Sequence, residues 1–178
     1  MERLSSKTVY DGKIAQVRVE EFRYPDGGTE VREIVGHPGA VAIVAHDGET
    51  VYLVRQPREP VGEPDLLEVP AGKLDVDGES RLECARRELA EEIGRAATEW
   101  RELKRFYPSP GLLEEEVTVF LATGLSEVEA EADEDERLEI VPLPLAGLEA
   151  AIADCRDAKS LVGLMLLREE LRGDGVGA

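Results

Sequence analysis

Only two cysteines, Cys84 and Cys155, occur in 178 residues, too few for a disulfide framework. Both fall in segments with helical patterning, where a buried thiol is the ordinary occupant, so a reducing cytoplasm is the expected compartment. Long apolar runs are also missing. Nothing approaches the roughly 18 residues that a membrane-spanning helix needs, and the N-terminus lacks a signal-peptide pattern, so no membrane partner is expected. Positive charge is the third shortage: 21 Lys and Arg against 39 Asp and Glu leave a net charge of −18. Such a surface repels a phosphate backbone, which argues against a general nucleic-acid binder. A small phosphate-containing substrate stays open, because bound cations reverse the field locally.

What is present fits one mixed α/β domain with a real hydrophobic core: 42% of residues are apolar and 34% charged. Residues 7 to 36 alternate apolar and polar through Ile14, Val17, Val19, Phe22, Val31 and Ile34. The turn Pro25-Asp26-Gly27-Gly28 splits them, which predicts a β-hairpin or meander. Ala40 to Val44 is a continuous apolar run, hence a buried strand, returned through Val51 to Val54 by a turn at His46-Asp47-Gly48. Residues 56 to 65, with three prolines and one glycine, read as a loop, and Leu66 to Val69 as a short strand leading to Pro70-Ala71-Gly72. Ser80-Arg81-Leu82-Glu83 matches a capping box. Leu82, Ala85, Leu89 and Ile93 give the helix behind it an apolar stripe, closed by Gly94. Strands are expected at 100–106, 117–122 and 138–141, and two amphipathic helices near 146–155 and 158–172.

The chemistry sits on the first helix. Glu88, Glu91 and Glu92 are three and four residues apart and share one face. Unpaired, they repel one another; a divalent cation removes the penalty. A carboxylate cluster behind a glycine turn therefore predicts a Mg²⁺ site and phosphate chemistry.

The stretch from Glu79 through Arg87-Glu88-Leu89-Ala90-Glu91-Glu92-Ile93-Gly94 resembles the signature of the Nudix hydrolases, G-x5-E-x7-R-E-U-x-E-E-x-G-U with U aliphatic. Two positions depart from it across the box 72–95: six residues separate Gly72 from Glu79, and Arg95 stands where an aliphatic residue is usual. The insertion precedes the helix, so the carboxylate spacing is untouched. Val54-Arg55-Gln56-Pro57-Arg58, Leu67-Glu68-Val69-Pro70-Ala71-Gly72, Ser109-Pro110-Gly111 and Glu134-Asp135-Glu136 resemble the ADP-ribose pyrophosphatases within that family. The resemblance covers residues 10 to about 145.

The resemblance implies an α+β Nudix fold, an α/β/α sandwich around a mixed central sheet. Residues 1–39 would form an antiparallel β-element serving homodimerisation, and 40–178 the hydrolase domain. It implies Mg²⁺, with Mn²⁺ as a substitute, held by Glu88, Glu92 and the carbonyl of Ala71, with Glu91 and Glu136 adding carboxylates. Arg87 would fix the carboxylate rotamers, Glu79 would orient the loop, and Glu134 would be the base. Arg55 and Arg58 suit the diphosphate or terminal ribose. Glu68, Pro110 and Gly111 would border the substrate, and Phe22 or Tyr24 would stack on adenine. The implied reaction is hydrolysis of ADP-ribose to AMP and ribose 5-phosphate. Two alternatives are another nucleoside diphosphate (a nucleotide sugar, a dinucleotide or an oxidised nucleotide) and a non-catalytic ADP-ribose-binding sensor.

Plainer explanations compete for individual residues. An acidic helix is usually a solvated face laced with pairs such as Glu83–Arg87. Asp75-Val76-Asp77-Gly78 lacks the third acidic position and the distal glutamate of a calcium loop. His37 and His46 read as turn residues, and Cys84 as core filler.

Overall fold

The computed structural model describes residues 1–12, 15–129 and 137–173, and they form two compact units. The first unit comprises Met1–Gly39 together with Tyr107–Glu116. Its sheet runs β1 (Glu2–Asp11), β2 (Gln16–Arg23), β3 (Thr29–Gly36), antiparallel throughout. The alternation over 7–36 thus belongs to a three-stranded meander, with the chain start supplying an exposed outer strand. Between β2 and β3 the turn is closed by the Tyr24 N–H donating to the Gly28 carbonyl at 2.9 Å. Gly27 sits there at φ +87°, a conformation glycine adopts without steric cost. Val35 of β3 exchanges backbone hydrogen bonds with Leu112 and Glu114, which ties residues 107–116 to this unit.

The second unit comprises Ala40–Phe106 and Val117–Ala178. Its strands are β4 (Ala40–His46), β5 (Thr50–Arg58), β6 (Glu63–Glu68), β7 (Ala71–Lys73), β8 (Arg95–Phe106), β9 (Val117–Glu127) and β10 (Glu139–Pro144). The main path is β10-β5-β4-β9-β8, with β6 on β5 and β7 on β4. β4 and β9 are parallel and the other pairs antiparallel, so the sheet is mixed. Helices α1 (Arg81–Ile93), α2 (Leu148–Asp154) and α3 (Ala158–Gly173) complete the unit.

β4 explains the layering. Ala40, Ala42 and Val44 face a core with Leu148 of α2 and Leu164 and Leu167 of α3. Val41, Ile43 and Ala45 face the opposite core with Cys84, Ala85, Leu89 and Ile93 of α1. A strand buried on both faces reads as an unbroken apolar run, as residues 40–45 do. The expected α/β/α sandwich is what the chain forms.

α1 begins and ends where the sequence placed it. Ser80 Oγ accepts from the Glu83 N–H, and Glu83 Oε2 accepts from the Ser80 N–H at 2.8 Å. Gly94 closes the helix at φ +63°. The proline-rich stretch differs from expectation: β5 continues to Arg58, and β6 starts at Glu63 rather than near residue 66. Pro57 falls at a register shift between Gln56 and Arg58, where a missing N–H interrupts no ladder bond. Pro60 enters a single 3-10 turn, Glu59–Val61, instead of an open loop.

At the end of β6, Glu68 is 1% exposed. Arg58 clamps it with two bonds, Nε to Oε1 at 2.6 Å and Nη2 to Oε2 at 2.7 Å, and Lys159 of α3 adds a third. Burial pushes the Glu68 carboxyl up, but Arg58 and Lys159 outweigh it and hold the group below its ordinary value. A carboxylate depressed in the folded state stabilises fully above its unfolded pKa, about 4.3, and loses that contribution as pH falls through the folded value. Glu68→Gln, which leaves the half-buried Arg58 without its anion and Lys159 with Asp157 alone, should cost about 1–2 kcal/mol at pH 7. Melting curves from pH 7 to pH 3 should show the wild-type advantage shrinking below about pH 4.5; a constant gap between the two proteins would remove Glu68 from the acid response.

Candidate active site

The sequence brings three segments together here: the short strand β7, the turn that follows it, and the last two turns of α1. Ile43 donates its N–H to the Pro70 carbonyl at 2.7 Å, and the register pairs Ala42 with Ala71 and Val41 with Gly72. Bonded and non-bonded positions alternate along an antiparallel ladder, so Ala71 occupies a non-bonded one. Its N–H and carbonyl both turn away from β4. The N–H donates to Glu92 Oε2 at 3.0 Å, and the carbonyl opens on the same side. Glu92 is itself buried, 6% exposed.

Glu88 packs over the next residue. A Cβ on Gly72 would lie 2.0 Å from the Glu88 carboxyl carbon and from Oε1. Glycine is therefore required at position 72 for close approach rather than for an unusual backbone angle. The extra residue between Gly72 and Glu79 is absorbed downstream, in a turn where the Glu79 N–H donates to the Val76 carbonyl at 3.1 Å. Gly78 supplies φ +81° and Val76 is exposed.

Arg87 neutralises the rest of the acidic face. Its Nε and Nη2 donate to Glu79 Oε1 and Oε2 at 2.9 and 3.1 Å. Nη1 donates to Glu88 Oε1 at 2.7 Å and to Glu91 Oε2 at 2.9 Å. The expected pairing of Arg87 with the helix carboxylates is present, and so is the Glu79 salt bridge. Glu83 belongs to the capping box instead of pairing with Arg87. Hydrogen bonding to Arg87 holds Glu79 below the usual carboxylate range, and Glu79 foremost holds the guanidinium above its ordinary value. Behind it, Cys84 is wholly buried, its thiol donating to the Lys73 carbonyl at 3.3 Å. Burial, then the charges of Glu88 and Glu79, push this thiol up to about 12.

The donor set can be tested against a divalent cation. Glu92 lies against the Ala71 N–H and Glu88 over Gly72; with the Ala71 carbonyl they would offer oxygen only, and oxygen-only sets suit Mg²⁺. Among the described residues no group of three or more Asp, Glu, His or Cys side chains converges as a metal-holding cluster, and Glu88 and Glu91 both accept from Arg87. Glu134 and Glu136 lie outside the described residues.

The remaining expected residues divide. Arg55 donates to Asp65 Oδ2 at 2.9 Å and lines an open cleft of about 620 Å³ with Gln56, Pro57, Arg137 and Glu139. Arg137 was missed from sequence; its one signal was its place directly after the acidic segment. Arg58 and Glu68 are engaged with each other inside the unit. Phe22, Pro110 and Gly111 belong to the first unit, with Phe22 on β2 opposite Arg3 and Glu30 and Gly111 exposed in the turn after Pro110.

Known proteins share both the sequence pattern and the architecture. The NUDIX domain matches residues 36–160, and the nucleoside diphosphate sugar hydrolase N-terminal domain matches residues 1–35. The chain belongs to the Nudix family. An ADP-ribose pyrophosphatase of Bacillus subtilis is 42% identical over 145 residues, covering 80% of this chain and 77% of that one. An ADP-ribose pyrophosphatase of Mycobacterium tuberculosis is 46% identical over 128 residues, covering 71% of this chain and 61% of that longer protein. A crystal structure of an ADP compounds hydrolase superposes with a TM-score of 0.86 at 30% identity, covering 98% of this chain and 95% of that one.

Gly72→Ala isolates the close approach. The atoms a methyl would meet belong to the mobile end of Glu88, so the fold should accommodate it within about 1 kcal/mol while the carboxylate is displaced. Hydrolysis should fall by about 10- to 100-fold with little change in melting temperature. Unchanged turnover in Gly72→Ala would remove the Glu88 position from the site.

Proposed function

We propose that the chain hydrolyses the diphosphate linkage of ADP-ribose, giving AMP and ribose 5-phosphate, in a Mg²⁺-dependent reaction that Mn²⁺ also supports. One observation carries the chemistry: Glu88 and Glu92 converge on the Ala71–Gly72 backbone. The substrate reading is supported by relatives named ADP-ribose pyrophosphatase and by the likeness to an ADP compounds hydrolase along nearly the whole chain. A module that only binds its ligand has no use for the full set of glutamates.

Glu88, Glu92 and the Ala71 carbonyl would hold the cation, with Glu91 beside them and Glu136 adding a ligand from the acidic segment. A cation held by them would supply charge neutralisation to the diphosphate oxygens and to the leaving phosphate. The protein's own groups do the remainder. Arg87 keeps Glu88 and Glu91 in place and prevents their mutual repulsion from splaying them. Arg55, with Arg137 in the same cleft, presents guanidinium groups to the substrate's phosphate or terminal ribose. Glu134 takes the proton of the attacking water. Phe22 serves as an adenine platform in a homodimer, and Pro110 and Gly111 border the substrate. No helix among the described residues is long and apolar enough to cross a membrane.

With Mg²⁺, wild type should release AMP and ribose 5-phosphate from ADP-ribose, followed as phosphate after a phosphatase is added. Glu92→Gln should lower kcat at least about 100-fold. An inactive wild type, or a Glu92→Gln variant with most of its rate, overturns the assignment. Glu134→Gln should lose about 100- to 1,000-fold in kcat with KM little changed; an undiminished rate moves the base to another carboxylate. Light scattering should give twice the 19.5 kDa chain mass, and an active monomer would rule out the cross-subunit platform.

A further inference from the structure

Val69 is the residue at which the chain changes partners. Glu68 pairs with Val54 of β5, whereas Pro70 and Ala71 run beside Ile43 and Ala42 of β4. Val69 itself is fully buried and belongs to neither ladder, so its N–H needs a partner from elsewhere. Ser160 of α3 provides it from 91 positions away: its Oγ accepts the Val69 N–H at 2.8 Å. Ser160 is 1% exposed.

The direction of these bonds is fixed. A backbone N–H can only donate and an ionised carboxylate can only accept, so the single Ser160 hydroxyl proton goes to Asp157 Oδ2 and a lone pair faces Val69. Burial pushes Asp157 up, but Lys159 and Ser160 outweigh it and keep the carboxyl low. Asp157 also accepts from the Ser160 N–H at 3.0 Å and from Lys159 Nζ at 2.9 Å. Lys159 reaches on to Glu68, the residue just before Val69. The link is thus pinned at each step: Glu68 by Arg58 and Lys159, Val69 by Ser160, Pro70 by Ile43, and Ala71 by Glu92.

We propose that Ser160, oriented by Asp157, is a positioning residue for the metal-facing side of the site: it fixes the Val69–Ala71 link that aims the Ala71 carbonyl and seats Glu92. The inference rests on the metal-dependent reading above. Ser160 does not line the 620 Å³ cleft that Arg55 shares with Arg137; it borders a second cavity of about 410 Å³ on the α3 side of β6, with Glu68 and Arg55. It acts through two peptide units, and its loss leaves a buried N–H that must turn toward another acceptor, carrying Ala71 with it.

The test measures Mn²⁺ binding to the substrate-free full chain, by electron paramagnetic resonance of the free ion, beside thermal melting. Ser160→Ala should weaken Mn²⁺ binding about tenfold, and Ser160→Thr, which keeps the hydroxyl, should restore most of it. Leu167→Ala, which loosens α3 from the core that Val69 shares but keeps the Ser160–Val69 hydrogen bond, should lower the melting temperature and leave Mn²⁺ binding within twofold. The proposal fails if Ser160→Ala binds like wild type, or if Leu167→Ala loses as much affinity. Should Ser160→Ala not fold, Asp157→Asn carries the same expectation, because it removes the carboxylate that orients the hydroxyl. Glu92→Gln separates the two levels. Wild type binding, Glu92→Gln not binding and Ser160→Ala unaffected would sink this inference alone; a wild type without Mn²⁺ affinity would sink the metal reading as well.

Discussion

Glu79, Glu88 and Glu91 share one guanidinium, that of Arg87, while Glu92 is held by a backbone N–H. At neutral pH those carboxylates would otherwise drive one another toward solvent and fray the end of α1. Every neighbouring feature serves to keep them close: the capping box that starts the helix at Arg81, the Gly94 cap that ends it, and the glycine that lets Glu88 lie against β7. The arrangement stores an excess of negative charge at one point on the unit. That concentration of anionic oxygen is what an enzyme acting on a diphosphate needs at its cation site, and what a purely structural helix would avoid.

The site and another charged cluster of the second unit meet at the β6–β7 link. On one side stand Glu88 and Glu92, the proposed cation ligands. On the other is the cluster of Arg58, Glu68, Lys159, Asp157 and Ser160, with Glu68 and Ser160 buried at its centre and opposite charges balanced internally. The field of Glu92 reaches Arg58, though Glu68 dominates there. Ion pairs that balance among themselves stand beside a group of glutamates that outnumbers its one guanidinium, Arg87.

Sequence reading succeeded where a few adjacent residues decide the outcome. Ser80 and Glu83 specify the helix start, Gly94 its end, and the apolar run at 40–45 a strand covered on both faces. It also found Arg87 and its glutamates, because helical spacing converts directly into distance. It faltered at residues 56–65, where prolines read as breakers although Pro57 sits at a bulge and Pro60 in a turn that lets β6 begin early. Arg58 and Glu68 were expected around the substrate, yet the structure pairs them with each other. No local pattern marked Ser160 or Lys159. Their partners lie 91 residues upstream, and only the packing of α3 on the sheet brings them together.

The two ends of β7 differ in what they tolerate. In the turn after Lys73, one additional residue relative to the family spacing is taken up at an exposed glycine bend, and the carboxylates keep their positions. Between Glu68 and Ala71 the same addition would reverse the alternation of the strand, turning the Ala71 carbonyl toward β4 and its N–H away from Glu92. Within a dozen residues, then, the chain has one place where its length is free to drift and another where the count is fixed. Insertions and deletions among its homologues should accumulate at the first and stop at the second.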